Sequence, residues 1–337
     1  MQETIPKRRL RCSIEKFDQD PFFSLVDYRN NLFTSSDPKK VTEFYNGFES
    51  RDELIEWMRE RPKGASYIHE VEGEKDIIVV IPTADFNGKY ARECRENIFK
   101  GLHMIFVESG EVPDPYFSFA RNANVGIKKA LEYNPEWIVI SNDDMHKGDD
   151  ISILTSQLND PLFINRTMKD RVGILFAYPP TFYYSRKRNV SAIRVTGKLI
   201  LLILYIFKRD PSFKIYMKFG VKYVISPDNF VYKLFLRKIF GYTDPTSFAV
   251  FNAKMCYEFF EKYGYVYDPT FINNREESDL AVRIKQSGWN SDFINFRIPP
   301  MRGMNLGVGK DRYIRDQAGV IYFSIKMEQE LGKGDKG

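Results

Sequence analysis

Three apolar, β-branched runs, each stopping abruptly at polar or acidic residues and separated by helical stretches, constrain this chain more than any other feature. They are Ile77 to Pro82-Thr83, His103 to Val107-Glu108-Ser109-Gly110, and Trp137-Ile138-Val139-Ile140-Ser141 followed by Asn142-Asp143-Asp144. Short apolar runs bounded by turn residues read as buried strands, while Tyr90 to Lys100 and Phe119 to Leu131 carry helical character. Strand, helix, strand, helix, strand with short connections predicts a parallel sheet with right-handed crossovers. All three runs then end at one edge, and open α/β sheets bind ligands at that edge. Asp85, Glu108, Ser109, Asp143 and Asp144 fall there. Two adjacent carboxylates can hold a hard divalent cation, since Mg²⁺ takes one or two protein carboxylates together with phosphate oxygens. The same letters also read as a buried strand running into a solvated acidic turn.

Composition narrows the function classes. With 43% hydrophobic and 28% charged residues among 337, the chain is globular rather than disordered. Cys12, Cys94 and Cys256 are far apart, as in a reducing compartment, and His69, His103 and His146 are not at ligand spacing, so a zinc centre is not expected. The basic start, Met1 to Arg11, lacks an apolar stretch of the signal-peptide kind, and no run reaches the ~20 apolar residues of a spanning helix. A cytoplasmic protein is expected, in five parts: an accessory segment over 1–75, a ligand-binding half over 76–177, an insertion over 178–243, a second half over 244–298 and a terminal loop and helix over 299–337. In the first part only Ser50-Arg51-Asp52-Glu53 stands out, as a capping box opening a helix that stops before Pro62.

The second half contains Thr246-Ser247-Phe248-Ala249-Val250-Phe251-Asn252-Ala253, a small-residue strand, and a helix leading to Gly264. Then comes Arg275-Glu276-Glu277-Ser278-Asp279-Leu280, opening a helix that ends near Gly288. Acids in a first helical turn can serve only to complement the helix dipole.

Together these stretches resemble the GT-A fold, family 2, inverting nucleotide-sugar glycosyltransferases. The matching motifs are Ile81-Pro82-Thr83, Val107-Glu108-Ser109-Gly110, Asn124-Val125-Gly126-Ile127, Asn142-Asp143-Asp144 and the Glu276-Glu277-Ser278-Asp279-Leu280 block. The resemblance implies a Rossmann-like, mostly parallel sheet flanked by helices, and sugar transfer from a nucleoside diphosphate sugar with inversion. It implies Glu277 as catalytic base and Asp143 with Asp144 as ligands of Mg²⁺ or Mn²⁺. Pro82, Thr83, Asp85, Glu108, Ser109, Arg121, Asn124 and Asn142 would contact the donor, and Ser247, Glu276 and Asp279 would lie on the acceptor side. Ser141 stands where the first acid of a strict D-x-D is often found, and no His follows His146, although the family often places one in a late loop. Arg302 or Lys310 could contact the diphosphate instead.

Between the two halves, residues 181 to 240 carry thirteen Lys and Arg against Asp210 and Asp228 alone, which exceeds the net charge of +5 for the whole chain. Among them lies Leu199 to Phe207, too short to span a bilayer. Apolar residues flanked by cations suit a helix lying on an anionic membrane, through residues 186–240, and equally a buried helical subdomain whose cations reach water. No nucleic-acid motif accompanies them, so a nucleic-acid partner is not expected. Two other functions fit the same letters: a nucleotidyltransferase on a related sheet, and a catalytically silent membrane-associated binding protein.

Overall fold

The computed structural model describes residues 40–61, 64–109, 118–177, 212–221, 247–272, 275–299 and 313–334. Seven strands form one sheet: β1 (Tyr67–Val71), β2 (Glu74–Thr83), β3 (Leu102–Glu108), β4 (Trp137–Ser141), β5 (Val172–Ala177), β6 (Phe248–Asn252) and β7 (Asn290–Ile294), in the order β1-β3-β2-β4-β6-β5-β7. The fold class is therefore α/β, as expected. The sheet is mixed, not the mostly parallel one anticipated. β2 pairs in parallel with β3 and β4, and β5 with β7, but β1–β3, β4–β6 and β5–β6 are antiparallel.

The registers give the reason. β5 ends at Ala177 on the same edge where the described chain resumes at Ser247, because Phe176 and Ser141 face Ala249 and Phe248. A chain that leaves and returns at one edge must run its next strand downward. Five strands, β2, β3, β4, β5 and β7, nevertheless point their carboxyl ends the same way. β1, within the segment read as accessory, joins the sheet as an edge strand beside β3, its side chains largely exposed or half-buried.

Helices cover both faces. On one side lie α4 (Phe119–Leu131), α8 (Ala253–Tyr263) and α9 (Glu276–Gln286), sharing a core with Val80, Ile138 and Phe251. On the other lie α3 (Lys89–Glu93), continued by a π-helical turn at Cys94–Ile98, and α5 (Ile151–Leu158), against Val79, Trp137 and Val139. α6 (Pro161–Lys169) follows α5 after Asn159 and Asp160, which cap the two helices in turn. α4 begins where Ser118 accepts the amide of Arg121, an N-cap that satisfies one orphan donor. Gly126 lets α4 lie directly on the sheet: an added Cβ would sit 2.3 Å from Val80 Cγ1 and 3.0 Å from Val107 Cγ2. Gly126→Ala is expected to destabilise the protein by ~1–3 kcal/mol through overpacking, against the helix preference of Ala; urea unfolding measures it.

A third core is wholly helical. α1 (Lys40–Asn46), α2 (Arg51–Glu60), α7 (Ser212–Lys218) and α10 (Tyr313–Gly334) pack Phe44, Tyr45, Trp57, Tyr216, Phe219 and Tyr322 together with Phe271. α2 is capped as predicted, with Ser50 Oγ accepting the amide of Glu53, while the Glu53 carboxylate accepts the amide of Glu49. Lys218 Nζ donates to the carbonyls of Tyr45 (2.9 Å) and Asn46 (3.3 Å), where its charge complements the end of α1. Segments read as separate, from the first part, the insertion and the terminus, thus share one layer.

Candidate active site

From β2 the chain passes to β3 on one side and then crosses back to β4 on the other. The carboxyl ends of β2 and β4 therefore flank a topological switch point, where doubly wound sheets open a crevice. Thr83 closes β2 there, and its Oγ1 donates to Asp143 Oδ2 at 2.7 Å. Asp143 and Asp144 follow β4 and are buried, 5% and 7% exposed. Burial pushes the Asp143 carboxyl up to about 6, the charge of Asp144 adds to the rise, and the Thr83 hydroxyl works against it.

The acidic loop is held on several sides. Asn142 N donates to Ser247 O (2.8 Å), His146 N to Pro299 O (2.9 Å), and Asp149 N to Arg297 O (2.8 Å). Gly148 is pressed so close that a Cβ would lie 2.1 Å from Arg297 O. Cys94 Sγ, from the π-turn, donates to Asp143 O at 3.3 Å, and its thiol is pushed up by burial and by the charge of Asp143. Buried Ser141 donates to Asn142 O, so a hydroxyl at this position is satisfied by the backbone.

Two neighbouring buried carboxylates, one with its ionised form disfavoured, are a hard-oxygen donor set that suits Mg²⁺ or Mn²⁺. Among the described residues no group of three or more His, Cys, Asp or Glu is placed around a common point. In the metal-free protein above about pH 6 the ionised Asp143 is a net cost, because its folded pKa lies above the unfolded one. Asp143→Asn is expected to raise stability at pH 7.5 by on the order of 1–3 kcal/mol, a gain that shrinks as pH falls through 6 toward about 4. Melting with and without Mn²⁺ checks this: the ion should stabilise the wild type and not the variant.

The other predicted residues divide. Pro82 is buried within β2 opposite Val107, and Ser109 is buried with its amide bonded to Thr83 O. Asp85 is exposed and its Oδ1 caps the turn at Asn87 N. Glu108 bonds His69 Nε2 at 2.7 Å, and the His69 ring stacks on Phe86 with centroids 4.3 Å apart. Arg121 is half-buried in the first turn of α4.

Asn124 is turned to a different use from the donor contact expected. Its Oδ1 accepts the amides of Val266 (3.0 Å) and Tyr267 (2.9 Å) while its Nδ2 donates to Tyr267 O (2.6 Å). Three backbone bonds occupy the amide, so Asn124 clamps α4 to the segment ahead of α9. Ser118 Oγ, donating to Phe271 O, adds a second tie.

α9 carries the second set of acids. It leads to β7, whose first residue lies beside Val172 at the start of β5, and the segment ahead of it is tied through Phe271 O to Ser118 at the start of α4. Arg275, ahead of the helix, is buried with φ of 75°, a left-handed backbone that costs a non-glycine residue about 1–2 kcal/mol. Glu276 is buried and Glu277 half-buried; burial, then the charges of Glu277 and Glu276, push the Tyr267 phenol up.

Asp279, expected on the acceptor side, is taken up by ion pairs inside the protein. Fully buried, it accepts from Arg283 Nε at 2.7 Å, and Lys326 Nζ of α10 lies 2.5 Å from its Oδ1 as an ion pair outside hydrogen-bond geometry. Lys326 also donates to Asp268 Oδ2 at 2.7 Å, where the Tyr322 hydroxyl donates at 2.9 Å. Arg283 donates to Val266 O and is boxed by Phe259, Tyr263 and Tyr265. Asp268, Tyr322, Lys326 and His69 were not singled out in the sequence; only the Asp279/Arg283 spacing of four on a helix signals part of the network.

A comparison with protein-family models, curated proteins and solved structures finds no match. Arg302, Lys310, the Leu199–Phe207 run and most of the basic segment lie outside the described residues. No helix among the described residues is long and apolar enough to cross a membrane.

Proposed function

We propose that the chain is an inverting, GT-A-like glycosyltransferase using a nucleoside diphosphate sugar. The observation that carries this reading is the switch point itself: Thr83 and the buried pair Asp143 and Asp144 at the ends of β2 and β4, and the reading adds Glu277 in the first turn of α9 as the base. Asp143 with Asp144 would hold Mg²⁺ or Mn²⁺, which would offset the charge developing on the diphosphate leaving group.

The residues of the chain do the rest. Thr83 holds the Asp143 carboxylate in place. Glu108, Ser109 and Asp85 lie near the β2 and β3 ends, where a base and ribose would sit, and Arg121 in the first turn of α4 would contact the donor. Glu277 takes the proton of the acceptor hydroxyl as its oxygen bonds to the anomeric carbon, and the bond from that carbon to the phosphate oxygen breaks, releasing the nucleoside diphosphate. A carboxylate within hydrogen-bond reach of the acceptor hydroxyl suits a general base. The acceptor is a glycan, lipid-linked or protein hydroxyl.

Thermal melting with a panel of UDP-, GDP- and dTDP-sugars and Mn²⁺ tests the reading, since a ligand that binds only the folded state raises apparent stability. A shift for one nucleotide class that disappears with chelator is expected; no shift across the panel sinks it. Contact with an anionic membrane through the rest of residues 186–240, outside the core-packed Ile215, Tyr216 and Phe219, belongs to the same proposal. Co-sedimentation with phosphatidylserine vesicles, weakening as salt rises, is the expected result.

A further inference from the structure

The buried charges behind α9 make a balanced set. Asp268 and Asp279 face Lys326 and Arg283, and only Lys326 comes from a distant part of the chain. Its ammonium bridges the turn after Tyr267 to the first turn of α9. Lone buried charges are costly, so such a bridge holds its two carboxylates at a fixed separation. At 3.6 residues per turn Glu277 lies roughly 200° around the helix from Asp279. With Asp279 clamped inward, Glu277 lies on a different side of the helix and is half-buried. Arg275, in left-handed backbone at the entrance of this turn, stores strain that its surroundings must hold in place.

We propose that Lys326 is a positioning residue for Glu277: by bridging Asp268 and Asp279 it fixes the rotation of the first turn of α9 and so aims the base at the edge of the sheet. This rests on the reading of Glu277 as the base. The terminal helix is then part of the catalytic unit although it supplies no group to the reaction.

The test uses the full chain in three forms: Lys326→Met, the charge-balanced pair Asp268→Asn with Lys326→Met, and Lys326→Arg. The pair keeps Asp279 with Arg283 and leaves no lone buried charge, so it folds even where the single variant does not. Two readouts are taken, amide hydrogen exchange of residues 279 to 283 and steady-state transfer with the nucleotide sugar that shifts the melting curve. In the pair, exchange over 279 to 283 is expected to quicken while β2 and β4 stay protected. Its kcat is expected to fall about 10- to 100-fold with donor KM little changed, since small misplacements of a reacting group cost rate steeply. Lys326→Arg should recover most of the rate.

Unchanged exchange, or kcat within two-fold of wild type in the pair, overturns the positioning role. The underlying reading fails separately: faster exchange in the pair, with Glu277→Gln transferring as fast as wild type, removes Glu277 as base while the clamp on α9 stands.

Discussion

Glu277→Gln should leave nucleotide-sugar binding within about two-fold of wild type while transfer falls by ~10²–10⁴, the usual contribution of a positioned general base. The amide is nearly isosteric with the carboxylate and keeps its hydrogen-bonding reach, but it cannot accept the proton. Loss of kcat with donor affinity retained marks an interaction made only as the reaction proceeds. Glu276, one residue earlier and buried, provides the control: Glu276→Gln should alter stability more than rate. Transfer by Glu277→Gln at the wild-type rate would remove the assignment. Asp143→Ala should act on the other side of the kinetics, weakening donor binding in a metal-dependent way.

Asp279→Ala is expected to cost ~3–5 kcal/mol of stability, because it strands Arg283 and half of Lys326 in the interior. An acceptor-side role predicts the opposite, normal melting with a raised acceptor KM. Urea unfolding separates the two. The same network has a pH signature. Burial pushes Asp268 up, but the Lys326 ammonium and the bonds from Thr270 and Tyr322 outweigh it, so its folded pKa lies below the ordinary carboxylate value. Its stabilisation is present above about pH 4 and is lost as pH falls through the folded value. Burial lowers Lys326, but Asp279 and Asp268 more than reverse this and raise it. That stabilisation is complete below about pH 10 and is lost only as pH rises through the raised value. The network is at full strength between those limits, and Asp268→Asn should flatten the acid limb of the stability curve.

How much of this was legible beforehand follows from what each residue meets. β2, β3 and β4 were readable because both their faces are buried, so they appear as unbroken apolar runs. β1 was not, since Tyr67-Ile68-His69-Glu70-Val71 is largely exposed or half-buried at the sheet edge and shows no such run. Strand direction escaped as well: it is set by where the chain leaves and re-enters the sheet, and a run such as Phe248 to Phe251 looks the same read up or down. At the site, adjacency in sequence brought out Asp143 and Asp144, and the Thr83 contact follows from neighbouring strand ends. Asn124 and Asp279 carry the residue types of a ligand site and are used for internal bonds. Chemistry alone cannot tell these uses apart, because a buried amide and a bound nucleotide ask for the same donors and acceptors. Lys326 lies 47 positions beyond Asp279, and no local pattern links them.

The helical layer draws its side chains from both ends of the chain and from its middle, with Phe44 and Trp57 meeting Tyr216 and Tyr322. During synthesis the seven described strands are all made once β7 emerges, yet this layer still lacks α10. The apolar faces of α1 and α2 therefore stay partly uncovered until α10 has been made, and uncovered apolar surface favours aggregation. A stop codon ahead of Tyr313 should thus yield a chain that keeps its strands and aggregates through its opening segment.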